Sequence, residues 1–179
     1  MTQELYQKAL KFAGEKHSSQ QVPGTAANYL LHISNVAMEV MVAHANAATF
    51  DLNWALQVAI LHDTLEDTDT TFDELASNFD ESIAIAVQAL TKDSAIESKE
   101  QKMIDSLARI NRLQKEVGIV KLADRITNLQ KPPNHWTPDK IRKYHEEARL
   151  IAQTLSNKNE YLHRRLLSKM DDYLSYTGH

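Results

Sequence analysis

The sequence predicts an all-α protein: a single compact bundle of about eight to ten helices spanning residues 1–179. Two observations carry this. Apolar residues recur at helical spacing in segment after segment, and no segment alternates with period two over β-branched residues. Breakers are scarce, with four Gly and four Pro in 179 residues, so few places exist where a helix must stop.

Taken in order, Leu5, Ala9, Phe12 and Ala13 share a face, which predicts a helix over 3–17. Pro23-Gly24 marks a turn within the loop that follows. "YLLHISNVAMEVMVAHANA" predicts a long helix over 29–46. "LNWALQVAILHD" is apolar on every side, so it predicts a helix buried all round that ends in His62 and Asp63. Thr71 with Glu74 three positions on has the form of a capping box, opening a short helix through Phe79. "ESIAIAVQALT" is the next helix. It is followed by "KEQKMIDSLARINRLQ", with Met103, Ile104, Leu107 and Ile110 expected on one stripe. "GIVKLADRITNLQ" predicts a further helix, stopped by the two prolines of "KPPNHW". Thr137-Pro138 reads as an N-cap with Pro at the first helical position, and the last helix is expected over 160–176.

Composition excludes several function classes. A formal charge of −4 argues against a general nucleic-acid binder. The absence of Cys removes disulfides, thiolate zinc sites and a Cys nucleophile, and fits a reducing compartment. No stretch approaches the ~18 apolar residues of a membrane span, and the N-terminus has no apolar signal core. The expectation is a cytoplasmic protein with no membrane partner; the sequence leaves its oligomeric state open.

Polar groups appear where apolar ones belong. His32 interrupts "YLLHISNVAMEV", and Asp124 is flanked by Val120, Leu122, Ala123, Ile126 and Leu129. A carboxylate in such surroundings costs desolvation free energy unless a positive charge neutralises it. Lys121, three residues before Asp124, is one candidate partner. A divalent metal is another, and it would serve His32, His62, Asp63 and Asp124 together from three different helices. Two imidazoles and two carboxylates suit Mn, Fe, Co or Zn. The other histidines show no paired ligand spacing, so one metal is expected. Glu66 and Asp67, one turn beyond two of these residues, are placed to orient or deprotonate a water.

These residues also carry a family pattern. His32, then "HDTLED", then "VKLADRITN", resemble the His-Asp (HD) phosphohydrolase superfamily. More narrowly, "ILHDTLEDTDTTFDEL" and "VKLADRITNL" are similar to the hydrolase domain of Rel/SpoT-type enzymes and to the small hydrolase-only alarmone hydrolases. The resemblance runs from "KALKFAGEKH" to the helix containing Tyr144. It implies an HD-domain helical bundle and a Mn²⁺-dependent enzyme that removes the 3′-pyrophosphate of (p)ppGpp, a guanosine nucleotide. By match, His32, His62, Asp63 and Asp124 hold the metal, and Glu66 and Asp67 are the catalytic acids. Asn128 contacts the nucleoside. Lys92, Lys99 and Lys102 lie in the region that binds phosphate in the family, and Lys140 and Tyr144 correspond to a ligand-contacting pair.

One departure stands out. In the family, a first-helix His is followed by a Gln and then by basic residues that embrace the base. Here His17 and Gln20 are followed by Gln21, Val22 and Pro23. The departure implies looser guanine recognition or a different base contact, with Arg125 and Trp136 as substitutes. Rival readings are a phosphatase acting on another nucleotide or an NADPH phosphate ester, and a module that binds alarmone without cleaving it.

Overall fold

A computed structural model describes residues 2–176. Ten α-helices form among the described residues: α1 (Thr2–Lys16), α2 (Leu30–Asn46), α3 (Leu52–Leu61), α4 (Thr64–Asp67), α5 (Phe72–Asn78), α6 (Glu81–Leu90), α7 (Lys99–Asn111), α8 (Lys115–Asn128), α9 (Pro138–Thr154) and α10 (Glu160–Tyr173). A 3₁₀ turn over Leu174–Tyr176 follows α10. The only extended pairing among the described residues is an isolated bridge between Gln21 and Asn28.

The helix starts follow from local chemistry. Asp51, Thr71, Asp80, Ser98, Thr137 and Asn159 each accept a backbone N–H at the start of a helix. Each such cap contributes about 1 kcal/mol by satisfying a donor that the helix leaves open. At Thr71 the box is half made. Its hydroxyl accepts from Glu74 N–H at 3.2 Å, but the Glu74 carboxylate turns to Lys16 Nζ at 3.0 Å.

Helices α3 and α8 lie at the centre. Every residue from Ala55 to Leu61 is buried, because α3 packs against α1, α2, α6 and α8. Helix α8 is buried from Glu116 to Thr127, held by α2, α3, α9 and α10. A helix that is surrounded cannot be amphipathic, so its polar side chains need partners inside the bundle. Helix α10 is fastened to α2 by Arg165, whose Nε and Nη2 each donate to the buried Glu39 carboxylate at 2.6 Å.

Two expectations need correction. Met103, Leu107 and Ile110 are buried as one stripe, but Ile104 is 42% exposed. It follows Met103 by one residue, which turns it about 100° round the helix. The acidic stretch after Asp63 winds a turn of helix, α4, that the sequence did not mark. Helix α8 ends at Asn128 with Leu129 out of helical geometry (φ −80°, ψ 64°), three residues before Pro132, so the prolines follow the stop instead of causing it.

The loop before α2 bends back on itself. Val22 N–H donates to Ala27 O and Tyr29 N–H to Gln20 O, both at 2.9 Å. Gly24 sits at its tip with φ +79°, a conformation that favours glycine, and faces Pro133 in the loop between α8 and α9.

Candidate active site

The site forms where α3 stops. His62 caps α3, and Asp63 follows with φ −102° and ψ 0°, a bend that starts α4 at once. The bend throws both side chains toward α2 and α8. His62 Nδ1 lies 2.8 Å from Ala59 O, so Nδ1 donates and Nε2 is the atom turned inward. His32 brings its Nε2 from α2 to 3.3 Å from His62 Nε2. Asp124, from α8, places Oδ1 3.5 Å from His32 Nε2 and 3.8 Å from His62 Nε2. Asp63 Oδ2 lies 2.9 Å from His62 Nε2 and 3.6 Å from His32 Nε2.

The structure therefore brings His32, His62, Asp63 and Asp124 together. Ligand atoms of His32, His62 and Asp124 lie within 4.8 Å of one another, as a metal site requires. The Lys121 pairing offered as the alternative to a metal at Asp124 is made, at one of its two oxygens. Lys121 Nζ takes Oδ2 at 3.0 Å, while Oδ1 faces the histidines. Tyr29 OH donates to Asp63 Oδ2 at 2.5 Å, and Asn128 Nδ2 donates to Asp124 Oδ1 at 2.5 Å, so each carboxylate is oriented by a second side chain.

The electrostatics call for a positive charge here. Burial pushes both histidines down. For His32 that prevails, with His62 adding to it. For His62 the facing carboxylates of Asp63 and Asp124 prevail and raise it to about 9. Burial pushes Asp63 and Asp124 up, but His62 beside Asp63 and Lys121 beside Asp124 hold both carboxyls below their usual range. The buried Asp124 and the half-buried Asp63 thus face two imidazoles, with the Lys121 ammonium already on Asp124. A divalent cation meets the same need with the same nitrogen and oxygen donors, so the residues present fit such an ion.

Glu66 and Asp67 stand at the exposed rim, on α4. They are held differently. Both Glu66 oxygens are engaged by Lys92, Oε1 by Nζ at 2.9 Å and Oε2 by the backbone N–H at 3.0 Å. Asp67 receives one bond, from Gln20 Nε2 to Oδ2 at 2.9 Å. Partial desolvation pushes the Asp67 carboxyl up, opposed by Gln20.

Tyr144 lies on α9 between Trp136 and Tyr173, with ring centroids 5.2 Å and 6.1 Å away. The Arg125 guanidinium stacks 4.2 Å from its ring centre and donates to Glu147 Oε2 at 3.0 Å. Lys140 is exposed, with Nζ 4.1 Å from the Trp136 ring centre. Lys99 and Lys102 occupy the first turns of α7 and make no side-chain hydrogen bond or ion pair among the described residues. The lysine that reaches Glu66 is Lys92.

Sequence reasoning missed four partners: Tyr29 to Asp63, Gln20 to Asp67, Lys92 to Glu66 and Arg125 to Tyr144. Gln20, Lys92 and Arg125 stand out in the sequence in other roles, and nothing there points to these partners.

Known proteins resemble the chain as a whole. A family model described as HD domain matches residues 9–161. A guanosine-3′,5′-bis(diphosphate) 3′-pyrophosphohydrolase of Danio rerio is 32% identical over 164 residues, covering 88% of this chain and 87% of the relative. The Homo sapiens protein of the same name is 31% identical over 165 residues, covering 88% of each chain. The solved structure of a metazoan ortholog of SpoT that hydrolyzes ppGpp superposes with a TM-score of 0.82 at 25% identity, over 94% of each chain.

Proposed function

Because the chain belongs to the HD-domain family, we propose that it hydrolyses the 3′-pyrophosphate of (p)ppGpp, giving GDP or GTP and pyrophosphate and so ending alarmone signalling. The observation that carries this reading is a cluster of two histidines and two aspartates, His32, His62, Asp63 and Asp124, with Glu66 and Asp67 on the turn of helix that follows Asp63. A site that only bound nucleotide would not need them. The enzyme acts in the cytoplasm on a small guanosine nucleotide.

His32, His62, Asp63 and Asp124 hold one divalent ion, for which Mn²⁺ is our assignment. Such an ion supplies positive charge against phosphate oxygens and makes water more acidic. The rest falls to the chain. Asp67 has one oxygen held by Gln20, which leaves Oδ1 to accept a proton from the attacking water. Glu66, held at both oxygens by Lys92, orients that water. The water oxygen bonds to the phosphorus attached to the ribose 3′-oxygen as its proton passes to Asp67, the bond from phosphorus to the 3′-oxygen breaks, and that oxygen, the leaving group, takes up a proton from solvent, giving GDP or GTP and free pyrophosphate. Asn128 and Tyr144 hold the nucleoside side, and Lys99, Lys102 and Lys140 offset phosphate charge.

A second reading is favoured by one feature: residues 21–28 carry no Lys or Arg, and they close on themselves through the Gln21–Asn28 bridge. Another nucleotide or an NADPH phosphate ester would then be the substrate on the same site. The deciding experiment incubates protein with ppGpp and Mn²⁺, with and without chelator, and separates products by anion exchange. GDP and pyrophosphate, lost with chelator and in Asp63→Ala, support the proposal. A folded, metal-loaded protein that leaves ppGpp intact but cleaves another phosphate ester supports the second reading.

A further inference from the structure

His17 closes the end of α1, is 1% exposed, and has no part in the steps above. Its Nδ1 lies 2.6 Å from Gln20 Oε1, and Gln20 Nε2 donates to Asp67 Oδ2 at 2.9 Å. The directions of these bonds are forced. A carboxylate only accepts, so Gln20 must turn its NH₂ toward Asp67 and its carbonyl oxygen toward His17. An amide oxygen also only accepts, so His17 Nδ1 carries the proton. The imidazole therefore decides which way the amide faces. Turned over, the amide would set two acceptors against each other at Asp67.

The root of the Gln20 side chain is equally constrained. Gln20 N–H donates to His17 O at 3.0 Å, and Gln20 O accepts from Tyr29 N–H at 2.9 Å. The His17 ring stacks on Tyr29 with centroids 5.0 Å apart and a 32° tilt, and Tyr29 OH holds Asp63. One buried ring thus stands behind both Asp63 and Asp67. Packing alone would need neither ring nitrogen, and a phenyl ring would serve.

We propose that His17 is a positioning residue for hydrolysis: its Nδ1–H orients the Gln20 amide, which holds Asp67 Oδ2 so that Oδ1 meets the attacking water. This rests on the reading of Asp67 as proton acceptor. His17→Phe keeps the ring and its stacking but removes the donor. His17→Asn returns an N–H close to the Nδ1 position. Gln20→Leu cuts the same chain one link further on.

Steady-state kinetics on ppGpp with Mn²⁺ should show kcat in His17→Phe lower by roughly 10–100-fold, the usual effect of removing a partner that orients a catalytic group. KM should be unchanged, because substrate contacts stay in place. Gln20→Leu should match that loss, and His17→Asn should recover most of it. A thermal midpoint for each variant separates these effects from unfolding. An independent readout is the Gln20 side-chain amide resonance, assigned by its loss in Gln20→Leu. It should move in His17→Phe and return in His17→Asn. Wild-type kcat in His17→Phe, or an amide resonance that His17→Phe leaves in place, would overturn the inference. If the wild-type protein leaves ppGpp intact, the functional reading fails, and the amide resonance alone decides whether His17 orients Gln20.

Discussion

Chelation should lower the thermal stability of this protein by a predictable amount, and loss of one site histidine should abolish most of the difference. His32, His62 and Asp124 converge within 4.8 Å, a geometry that unfolding scatters, so the ion binds the folded chain alone. At free Mn²⁺ about 100 times the dissociation constant, linkage stabilises the fold by about 2.7 kcal/mol. For a chain of 179 residues, each kcal/mol moves the midpoint by about 2–4 °C, so removing the ion should lower it by about 5–10 °C. His32→Ala removes a ligand from the far side of the cluster. If that weakens binding about 100-fold, the same Mn²⁺ concentration leaves about 0.4 kcal/mol, or ~1–2 °C. The assay is a melting curve followed by circular dichroism, with Mn²⁺ titrated into chelator-treated protein. Identical midpoints with and without metal would refute the argument. So would a metal-dependent shift of wild-type size in His32→Ala, since the ion would then sit elsewhere.

Four further outcomes are expected. Lys92→Met takes the ammonium from Glu66 Oε1 and leaves the backbone N–H on Oε2, and should lower kcat about tenfold with little change in KM, read from steady-state kinetics. Gln20→Leu removes the bond that holds the Asp67 carboxyl down, so its pKa rises further; because the base must be ionised, the acid limb of the kcat/KM profile should move to higher pH. Arg125→Met removes the guanidinium stacked under Tyr144, a contact of about 1–2 kcal/mol when desolvated, and should raise KM more than it lowers kcat. Arg165→Ala leaves Glu39 buried without its cation and should destabilise the fold by about 1–3 kcal/mol in urea, with turnover by the folded protein unchanged.

What the sequence determined by itself was the helices and the places where they carry anomalous side chains. Period 3.6 in the apolar residues marks helices that bury one face, such as α2, and α3 shows instead as an unbroken apolar run because it is buried all round. His32 and Asp124 were visible as polar groups on such faces, and His62 and Asp63 as an abrupt end to an apolar helix, since burial makes an unpartnered polar group costly wherever it falls. Boundaries were legible where a cap fixed them, as at Thr137, and less so where packing ended a helix, as at Leu129. The tertiary structure alone decided the partners. Gln20 meets Asp67 across 47 residues, Lys92 meets Glu66 across 26, and Arg165 meets Glu39 across 126. A local pattern records the face on which a side chain stands. It does not record what stands opposite, because that depends on how α1, α4, α6 and α10 pack round α3 and α8, a product of the whole core.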